Sequence, residues 1–507
     1  MRTFHEAVGA VETFSPAEEM FNRRRRTVGL FLAPAVFLIV LFAPLGLPLA
    51  AHRMAAVMAL VITLWLTEAL PLAITAILGP CLAVVLGISS GRDALAPFAD
   101  PIIFLFMGGF MLAQAMFVHG VDRRIAYGAL ALPGVGASAF RILLVYGAVC
   151  AALSMWISNT AATAMMFPIG LSILAHLART SSDKDKVRRY ALALMLITAY
   201  GSSIGGMGTP VGTPPNLIGI GMLQKIAGVD ISFFSWMAIG VPVVVMLFAY
   251  LVAQFHVTSV RGFDVAAGST ELVHRELERL GKQTVGQRNV LIAFGVTVLL
   301  WIAPGLLAVA GLDDSAFALG YAARMPEGVA AMIGAALLFI LPVDWRERRF
   351  TLTWDEAVKI DWGITLLYGG GLALGEMTFS TGLAQAIGEN VTSWLPWQSP
   401  LTLTLLFTGA AIIVSEAASN TASANMLVPI AIAVSQAAGV RPIEPVLGAT
   451  LGASMGSMMP VSTAPNAIVY SSGYVPIGKM MRHGIFLDVA AFFIIVTMVM
   501  LLGPILF

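Results

Sequence analysis

Two identical Ser-Asn-Thr triplets, at residues 158–160 and 419–421, interrupt long apolar runs of the sequence. Hydroxyl and amide groups are costly inside an apolar segment unless they find hydrogen-bond partners. These residue types often begin helices, and each triplet directly precedes a run of helix-forming residues. A helix N-terminus presents unpaired N–H groups and a partial positive charge, so a pair of such sites indicates anion binding. A single triplet would instead indicate helix packing, since small residues are common at helix contacts in membranes.

A second pair of motifs contains prolines and small residues within apolar segments. They read MGTPVGTPPN at 207–216 and SMMPVSTAPN at 457–466. Because proline interrupts a helix, we expect each helix to break here and a new half-helix to begin at Thr213 or Thr463. Broken backbone at membrane depth is tolerated only where it lines a cavity or is buried in protein. The four motifs therefore predict half-helix N-termini that converge on one site.

The composition indicates a chain that lies mostly in lipid. Of its 507 residues, 58% are hydrophobic and 11% are charged, and the mean hydropathy is +0.87. Soluble domains carry about 25% charged residues, so we predict an all-α polytopic membrane protein. The net charge of +1 gives no indication of a nucleic-acid partner, and the seven histidines show no metal-ligand spacing. Cys81 and Cys150 lie in apolar spans, so a disulfide framework is not expected.

Stretches of about 20 apolar residues can cross a bilayer as a helix. The sequence contains eleven such candidates, near 28–48, 53–70, 72–88, 97–120, 191–225, 233–256, 289–310, 326–343, 361–380, 443–475 and 484–507. Two further apolar segments, 139–178 and 400–437, carry the triplets at their centres. We interpret each as a re-entrant helical hairpin, because an uncharged triplet is too short to surface as a loop between two full spans.

Lysine and arginine set the expected orientation, since they concentrate on the cytoplasmic side of membrane proteins. We predict that residues 1–27 form a cytoplasmic N-terminal tail and that the C-terminus lies outside. The segments rich in lysine and arginine then lie inside, at 121–141, 179–190, 257–288, 344–360 and 476–483, and the outer side receives short loops such as 51–53 and 311–317. The cytoplasmic loop 257–288 separates a first half, 28–256, from a second half, 289–507.

The two halves are an internal duplication. DPIIFLFMGGFMLAQAM begins at Asp100 and DWGITLLYGGGLALGEM begins at Asp361, an offset of 261 that the triplets share. The proline motifs, on the predicted broken helices 191–225 and 443–475, are offset by 250 because a loop is shorter in the second half. Five predicted spans separate the triplets, so the repeats have inverted topology, which is typical of transporters with a midplane site. We expect the glycines at 108–109 and 369–371 to provide close helix packing or a flexible break rather than a ligand site.

Basic side chains are absent from the predicted site. Glu416 is the only charged residue in four segments: 142–175, 191–224, 400–437 and 446–475. Helix termini supply about half a charge each, so a divalent anion would be poorly compensated without accompanying cations. Hydroxyls, amide oxygens and unwound carbonyls are suited to Na⁺. Glu416 is either a proton-coupling group or a carboxylate satisfied by the backbone of its own hairpin, the interpretation that we favour.

The paired SNT triplets, each followed by a PV(G/S)TxPN motif, resemble those of the divalent anion/sodium symporter family, which includes solute carrier family 13 and bacterial di- and tricarboxylate transporters. The resemblance runs from near residue 28 to the end of the chain. It implies a homodimer in the bacterial cytoplasmic membrane whose transport domain moves past a scaffold domain by an elevator mechanism. It further implies uptake of a small dicarboxylate with at least two Na⁺ ions.

The resemblance also assigns residues to sites. Substrate binding is assigned to Ser158, Asn159, Thr160, Thr213, Ser419, Asn420, Thr421 and Thr463. A first sodium site is assigned to Ser154, Ser158, Asn159 and the backbone of Gly212, and a second to Ser415, Ala418, Asn420 and Ser462. Thr421 occupies a position that varies with substrate class in the family, and it favours four-carbon dicarboxylates such as succinate, fumarate and malate.

Other functions stay open at this stage. The family includes sodium-independent dicarboxylate exchangers as well as sulfate and tricarboxylate transporters. Ala464 stands where relatives often have a second proline, and Ser462 replaces the glycine found in the first copy; both would flank the bound anion. A channel is less consistent with inverted repeats than a transporter. The sequence contains no HExxH zinc motif, and a membrane enzyme is not expected.

Overall fold

The computed structural model describes residues 16–181, 183–263, 269–312, 314–394 and 397–507. Most of the predicted N-terminal tail lies outside these ranges. The first helix begins at Pro16, well before the predicted start of the first span at residue 28. Arg23–Arg26 therefore belong to this helix, where Arg25 forms an ion pair of 2.9 Å with Glu68.

The first half of the chain is helical. Its helices are α1 (Pro16–Phe42), α2 (Leu49–Thr67), α3 (Leu72–Val85), α4 (Gly91–Leu95), α5 (Pro101–His119), α6 (Val121–Leu130), α7 (Ala139–Ser154), α8 (Asn159–Thr180), α9 (Lys184–Gly206), α10 (Pro214–Ala227) and α11 (Phe233–Phe255). Short 3₁₀ turns lie at Ala96–Ala99 and Val135–Ala137, and α11 ends in a π turn at His256–Val260.

The second half adds a small sheet to its helices. Helix α12 (Ser269–Arg279) lies in the predicted loop 257–288 that precedes this half. The helices of the second half are α13 (Val285–Val309), α14 (Ala316–Arg324), α15 (Glu327–Ile340), α16 (Trp354–Ala357), α17 (Trp362–Ser380), α18 (Leu383–Trp394), α19 (Pro400–Ala417), α20 (Asn420–Ala437), α21 (Ile443–Ala453), α22 (Ala464–Tyr470) and α23 (Ile477–Leu506). Strands β1 (Pro342–Asp344) and β2 (Arg349–Phe350) pair antiparallel. The all-α prediction therefore missed one hairpin, which lies in the charged segment 344–360 and the residues just before it.

Length and composition support fewer continuous spans than the eleven predicted. In the described part of the chain, eight helices are long and apolar enough to cross a membrane, or nine if the α14–α15 pair, bent by 69°, is one span. The difference has physical causes. Helix α3 has only 14 residues, α17 carries three consecutive glycines, and α9–α10 and α21–α22 are interrupted. Helices α8 and α19, predicted as hairpin arms, are themselves long enough to cross.

Corresponding helices of the two halves begin at the offsets found in the sequence. Asp100 caps α5 by accepting the N–H of Ile102 at 3.0 Å, and Asp361 caps α17 by accepting the N–H of Gly363 at 3.0 Å. Helices α8 and α20 also start 261 residues apart, and α10 and α22 start 250 apart. The repeated sequence motifs therefore begin helices at corresponding positions in the two halves.

The paired glycines pack helices closely, as the sequence predicted. A Cβ atom on Gly108 of α5 would lie 2.6 Å from the backbone of Ala331 on α15. A Cβ atom on Gly370 of α17 would lie 2.1 Å from the carbonyl oxygen of Ala76 on α3. Any side chain at these positions would force the helices apart.

Helix α9 lies at the centre of the core. Every residue from Tyr190 to Gly206 is buried, so the helix is covered on all sides. It packs against α7, α8 and α22, which surround the breaks that carry the predicted site. The C-terminal end of α9 is thereby held between elements of both halves.

We predict that Gly108→Ala lowers the melting temperature of the detergent-solubilised protein. The new methyl group would overlap the Ala331 backbone, and overpacking of this kind costs about 1–3 kcal/mol. Gly128→Ala on α6 is the matched control, because nothing lies within 4 Å of its Cβ position. It should leave the melting temperature unchanged or raise it slightly. Equal melting temperatures for the two variants would contradict close packing at Gly108.

Candidate functional site

A single cavity of about 970 Å³ lies where the two triplets and the two proline motifs meet. All eight residues assigned to substrate binding line it: Ser158, Asn159, Thr160, Thr213, Ser419, Asn420, Thr421 and Thr463. The two triplets are far apart in sequence, so the fold alone brings them together. Their roles in binding remain predictions, but their common location meets the first requirement for a shared site.

The first triplet lies at a sharp break between α7 and α8. Ser158 caps α8 by accepting the N–H of Ala161 at 3.3 Å. The buried hydroxyl of Ser154 donates to Oδ1 of Asn159 at 2.7 Å, across the break. This bond fixes the amide of Asn159 relative to the end of α7. The N-terminus of α8 is therefore directed at the cavity with its cap satisfied.

The second triplet repeats these bonds. Ser419 caps α20 by accepting the N–H of Ala422 at 3.2 Å, and the hydroxyl of Ser415 donates to Oδ1 of Asn420 at 2.8 Å. Asn420 also donates through Nδ2 to the carbonyl of Ser454 at 3.2 Å. Apart from Ser454, these residues lie 261 positions after their counterparts, so the duplication extends to individual hydrogen bonds.

Two asparagines that the sequence analysis did not single out hold the broken helices in place. Nδ2 of Asn216 donates to the carbonyls of Gly206 at 2.9 Å and Thr209 at 2.8 Å. Nδ2 of Asn466 makes the same pair of bonds, to Gly456 at 2.7 Å and Met459 at 3.0 Å. These are the final residues of the TPPN and TAPN motifs, so the repeated asparagine was the available signal. Each closes its loop by bonding carbonyls that the break leaves without helical partners.

The assigned first sodium site consists of neutral oxygen groups and close backbone. A Cβ atom on Gly206 would lie 2.3 Å from Oδ1 of Asn159, and one on Gly212 would lie 2.5 Å from the carbonyl oxygen of Gly206. Both glycines therefore allow the loop to approach the triplet directly. Hydroxyl, amide and carbonyl oxygens are ligands suited to Na⁺, so the residues present fit this ion.

The assigned second sodium site repeats the serine–asparagine hydrogen bond of the first, but it also contacts the carboxylate of Glu416. The hydroxyl of Ser462 donates to the carbonyl of Glu416 at 3.1 Å and to its Oε2 at 2.9 Å. Ala418, which is buried, offers only its backbone. With Ser415 and Asn420, these groups again present oxygens that fit Na⁺.

The partners of Glu416 differ from the prediction. We expected its carboxylate to be satisfied by the backbone of its own hairpin. Instead, Oε1 accepts the N–H of Met458 at 2.8 Å, and Oε2 accepts the hydroxyl of Ser462. Both donors belong to the loop that faces the triplet, because the end of α19 points at that loop rather than back along itself. Glu416 therefore joins the two broken elements of the second half.

The cavity extends from the triplets to the predicted cytoplasmic segments. Its wall includes Arg123, Glu276 and Lys359, which lie in three segments predicted to be inside. Among the lining residues, Arg123 and Lys359 carry the only positive charges, and both lie outside the triplets and proline motifs. An anion at the triplets would therefore meet helix N-termini and hydroxyls rather than basic side chains.

Comparison with known proteins identifies the family. A family model described as the sodium:sulfate symporter transmembrane region matches residues 24–507. The chain belongs to this family. It is 34% identical over 484 residues to the sodium-dependent dicarboxylate transporter SdcS of Staphylococcus saprophyticus, a match that covers 94% of this chain and 91% of the relative. The SdcS protein of Staphylococcus aureus strain USA300 is likewise 34% identical, over 486 residues.

The fold resembles a solved transporter. The crystal structure of the YdaH transporter of Alcanivorax borkumensis aligns with a TM-score of 0.53 and 12% identity, covering 89% of this chain and 98% of YdaH. This likeness concerns the fold alone. The family match and the relatives along nearly the whole chain make it a membrane transport protein and not an enzyme.

We predict that Asn216→Ala and Asn466→Ala each destabilise the folded protein. Each substitution leaves two loop carbonyls without their donor, and a lost donor to a buried acceptor costs about 1–3 kcal/mol. Thermal unfolding in detergent should show a lower melting temperature for both. Asn390→Ala is the control, because this exposed residue makes one bond along its own helix. An unchanged melting temperature for Asn216→Ala and Asn466→Ala would contradict the bracing role.

Proposed function

We propose that this protein is a sodium-coupled symporter that imports divalent four-carbon dicarboxylates such as succinate, fumarate or malate. The observation that carries the proposal is the cavity lined by both triplets together with Thr213 and Thr463. The relatives named sodium-dependent dicarboxylate transporters, at 34% identity along nearly the whole chain, support the substrate class and the coupling ion.

The proposed anion contacts follow from helix ends. Helices α8 and α20 begin within the triplets, and α10 begins one residue after Thr213. The N-termini of α8 and α20 offer N–H groups and about half a positive charge each, which suits the two carboxylates of a dicarboxylate. Helix α10 begins with Pro214 and Pro215, which have no N–H, so it would contribute its dipole and the Thr213 hydroxyl. Hydroxyls of Ser158, Thr160, Ser419 and Thr421 would add neutral donors. A carboxylate group at each triplet would match the near-symmetry of the site.

Sodium provides the remaining positive charge. The two candidate sites lie one in each half, around Asn159 and Asn420. The first is built from neutral oxygens, and the second also has the Glu416 carboxylate bonded to Ser462. Two Na⁺ ions would balance one dianion. Because these asparagines also line the cavity, cation and anion binding would share residues, which is a direct way to couple their transport.

The mechanism that we propose is elevator-type alternating access in a homodimer. The breaks at Ser158 and Ser419 support two re-entrant hairpins, which with eleven crossings give the inverted repeat. The N-terminus would lie in the cytoplasm and the C-terminus outside, in a bacterial cytoplasmic membrane. The cavity reaches the basic predicted inner segments, which supports an inward-facing state. The family resemblance implies that α5 and α17, the fourth and ninth predicted spans, belong to the scaffold.

A second candidate substrate is sulfate. The description of the matching family names sulfate, and a small dianion could occupy the same helix N-termini. A sodium-independent dicarboxylate exchanger and a tricarboxylate transporter are further alternatives within the same site. The complete second triplet, ending in Thr421, favours the dicarboxylate.

We predict that purified protein in liposomes takes up radiolabelled succinate only with an inward Na⁺ gradient. Replacing external Na⁺ by choline should reduce uptake to the level of protein-free liposomes, since the anion then lacks its compensating cations. Competition with unlabelled fumarate, malate, citrate and sulfate will rank the substrates. If uptake in choline equals uptake in Na⁺ and requires dicarboxylate preloaded inside the liposomes, the protein is an exchanger and the symport proposal is refuted.

We predict that Asn159→Ala and Asn420→Ala each reduce succinate uptake by at least about 100-fold, because each removes a group assigned to both the anion and a cation. Uptake in liposomes measures the effect, and gel filtration checks that the variants remain folded. Asn390→Ala on the exposed face of α18 is the control and should retain full uptake. Full uptake by either Asn159→Ala or Asn420→Ala would refute the site assignment.

A further inference from the structure

Two carboxylates meet behind the second triplet, outside the cavity described above. Asp488 of α23 is 5% exposed and lies beside Glu416 of α19 and Ser457 of the facing loop. Neither oxygen of the Asp488 carboxylate accepts a hydrogen bond from the part of the chain that the structure describes. A buried carboxylate without donors is costly, and the cost is greater beside a second one.

Neither Glu416 nor Asp488 forms an ion pair with a basic side chain of the described residues. Glu416 and Ser457 are the neighbours that act on Asp488, and Tyr200 of α9 lies close by. Tyr200 donates to the carbonyl of Ser457 at 2.8 Å, which holds the loop in place. His483, on the same helix as Asp488, instead faces Gln254 and the Phe255 ring. The two carboxylates thus lack a basic partner within the described residues.

The pair is a feature of the second half only. The residue that corresponds to Glu416 at the 261-residue offset of the triplets is Met155. The residue that corresponds to Met458 at the 250-residue offset of the proline motifs is Gly208. In the first half, the Met155 side chain packs directly over Gly208. Where the second half has a carboxylate bound to a backbone N–H, the first half therefore has an apolar contact. The negative charge was not needed for the duplicated fold.

We propose that Asp488, Glu416 and Ser457 form a third Na⁺ site, next to the candidate site at Ser415 and Asn420. This inference rests on the sodium coupling proposed above and extends it. Two carboxylates and a hydroxyl provide hard oxygen ligands of the type that binds alkali and alkaline-earth cations. The cation would supply the positive charge that the pair lacks.

The hydrogen bonds that Glu416 accepts point to a metal cation rather than a proton as the occupant. Glu416 accepts one N–H and one O–H, and hydrogen bonds to a carboxylate stabilise its charged form. Ser457 adds a hydroxyl oxygen that can coordinate a cation. A third Na⁺ carried with a dianion would move one net positive charge inward per transport cycle. Two Na⁺ ions would move none.

This charge difference provides the test. Purified protein is reconstituted into liposomes with imposed Na⁺ and succinate gradients. K⁺ and valinomycin set the membrane potential to a series of values. The potential at which net succinate flux stops gives the Na⁺-to-succinate ratio. We expect a ratio of three for the unaltered protein and a ratio of two, with voltage-independent flux, for Asp488→Asn. Asparagine keeps the size of the side chain and removes its charge.

Glu444→Gln is the matched control. Glu444 of α21 is also buried and lies against α23, but it is paired with Arg441 at 2.7 Å. Its replacement should leave the ratio at three. Asp488→Glu, which keeps a carboxylate, should retain a higher ratio than Asp488→Asn. Binding of radioactive Na⁺ to the purified protein should likewise fall by one ion per chain in Asp488→Asn alone.

Each other outcome overturns the site. A ratio of two for the unaltered protein excludes a third ion whether or not Asp488→Asn folds. An unchanged ratio in Asp488→Asn, with uptake that has lost its dependence on pH, would show that the pair holds a proton instead. If the unaltered protein transports succinate without Na⁺, the proposed symport is refuted as well as the third site. This outcome differs from failure of the third site alone, in which transport still requires Na⁺.

Discussion

The structure depends on the requirement that every backbone group released by a helix break within the membrane finds a partner inside the protein. The site exists because four helices begin at such breaks, and each break is closed by side chains of its own segment. Asn216 and Asn466 each bond two loop carbonyls, while Ser158 and Ser419 cap the helices that follow. These bonds hold the N–H groups of the helix ends around one cavity. Without them, open backbone next to lipid would be too costly.

A site made of helix ends has a particular electrostatic character. It can hold an anion without burying a lysine or arginine, whose own desolvation would be costly. The positive charge it offers is partial, so mobile cations must complete it. In such a site, binding of the anion depends on binding of the cations, which is the thermodynamic basis of coupling. The lack of basic residues at the triplets is therefore consistent with cotransport.

The sequence predicted features that depend on local pattern and on repetition. Triplets and proline motifs at fixed offsets placed the breaks, and the structure brings both triplets to the same cavity. Contacts between distant elements could not be predicted in this way. Asp488 lies in an apolar stretch of α23 and meets Glu416 only through tertiary packing. The hairpin β1–β2 was also missed, because five residues of strand in a charged segment give too weak an alternating pattern.

The two halves share a backbone frame but differ in electrostatics, and this difference has mechanistic consequences. Gly212 in the first half corresponds to Ser462 in the second, and Met155 corresponds to Glu416. A frame of neutral oxygens binds a cation only as strongly as its geometry permits, whereas nearby carboxylates add a long-range attraction in a medium of low dielectric constant. The cation sites of the second half should therefore fill at lower Na⁺ concentration than the site of the first half. Ions bound there would neutralise Glu416 and Asp488 before the anion arrives, and would remove the repulsion that these carboxylates exert on a dianion at the second triplet. The order of binding would then follow from the charge distribution of the two halves, with sodium first and the anion afterwards.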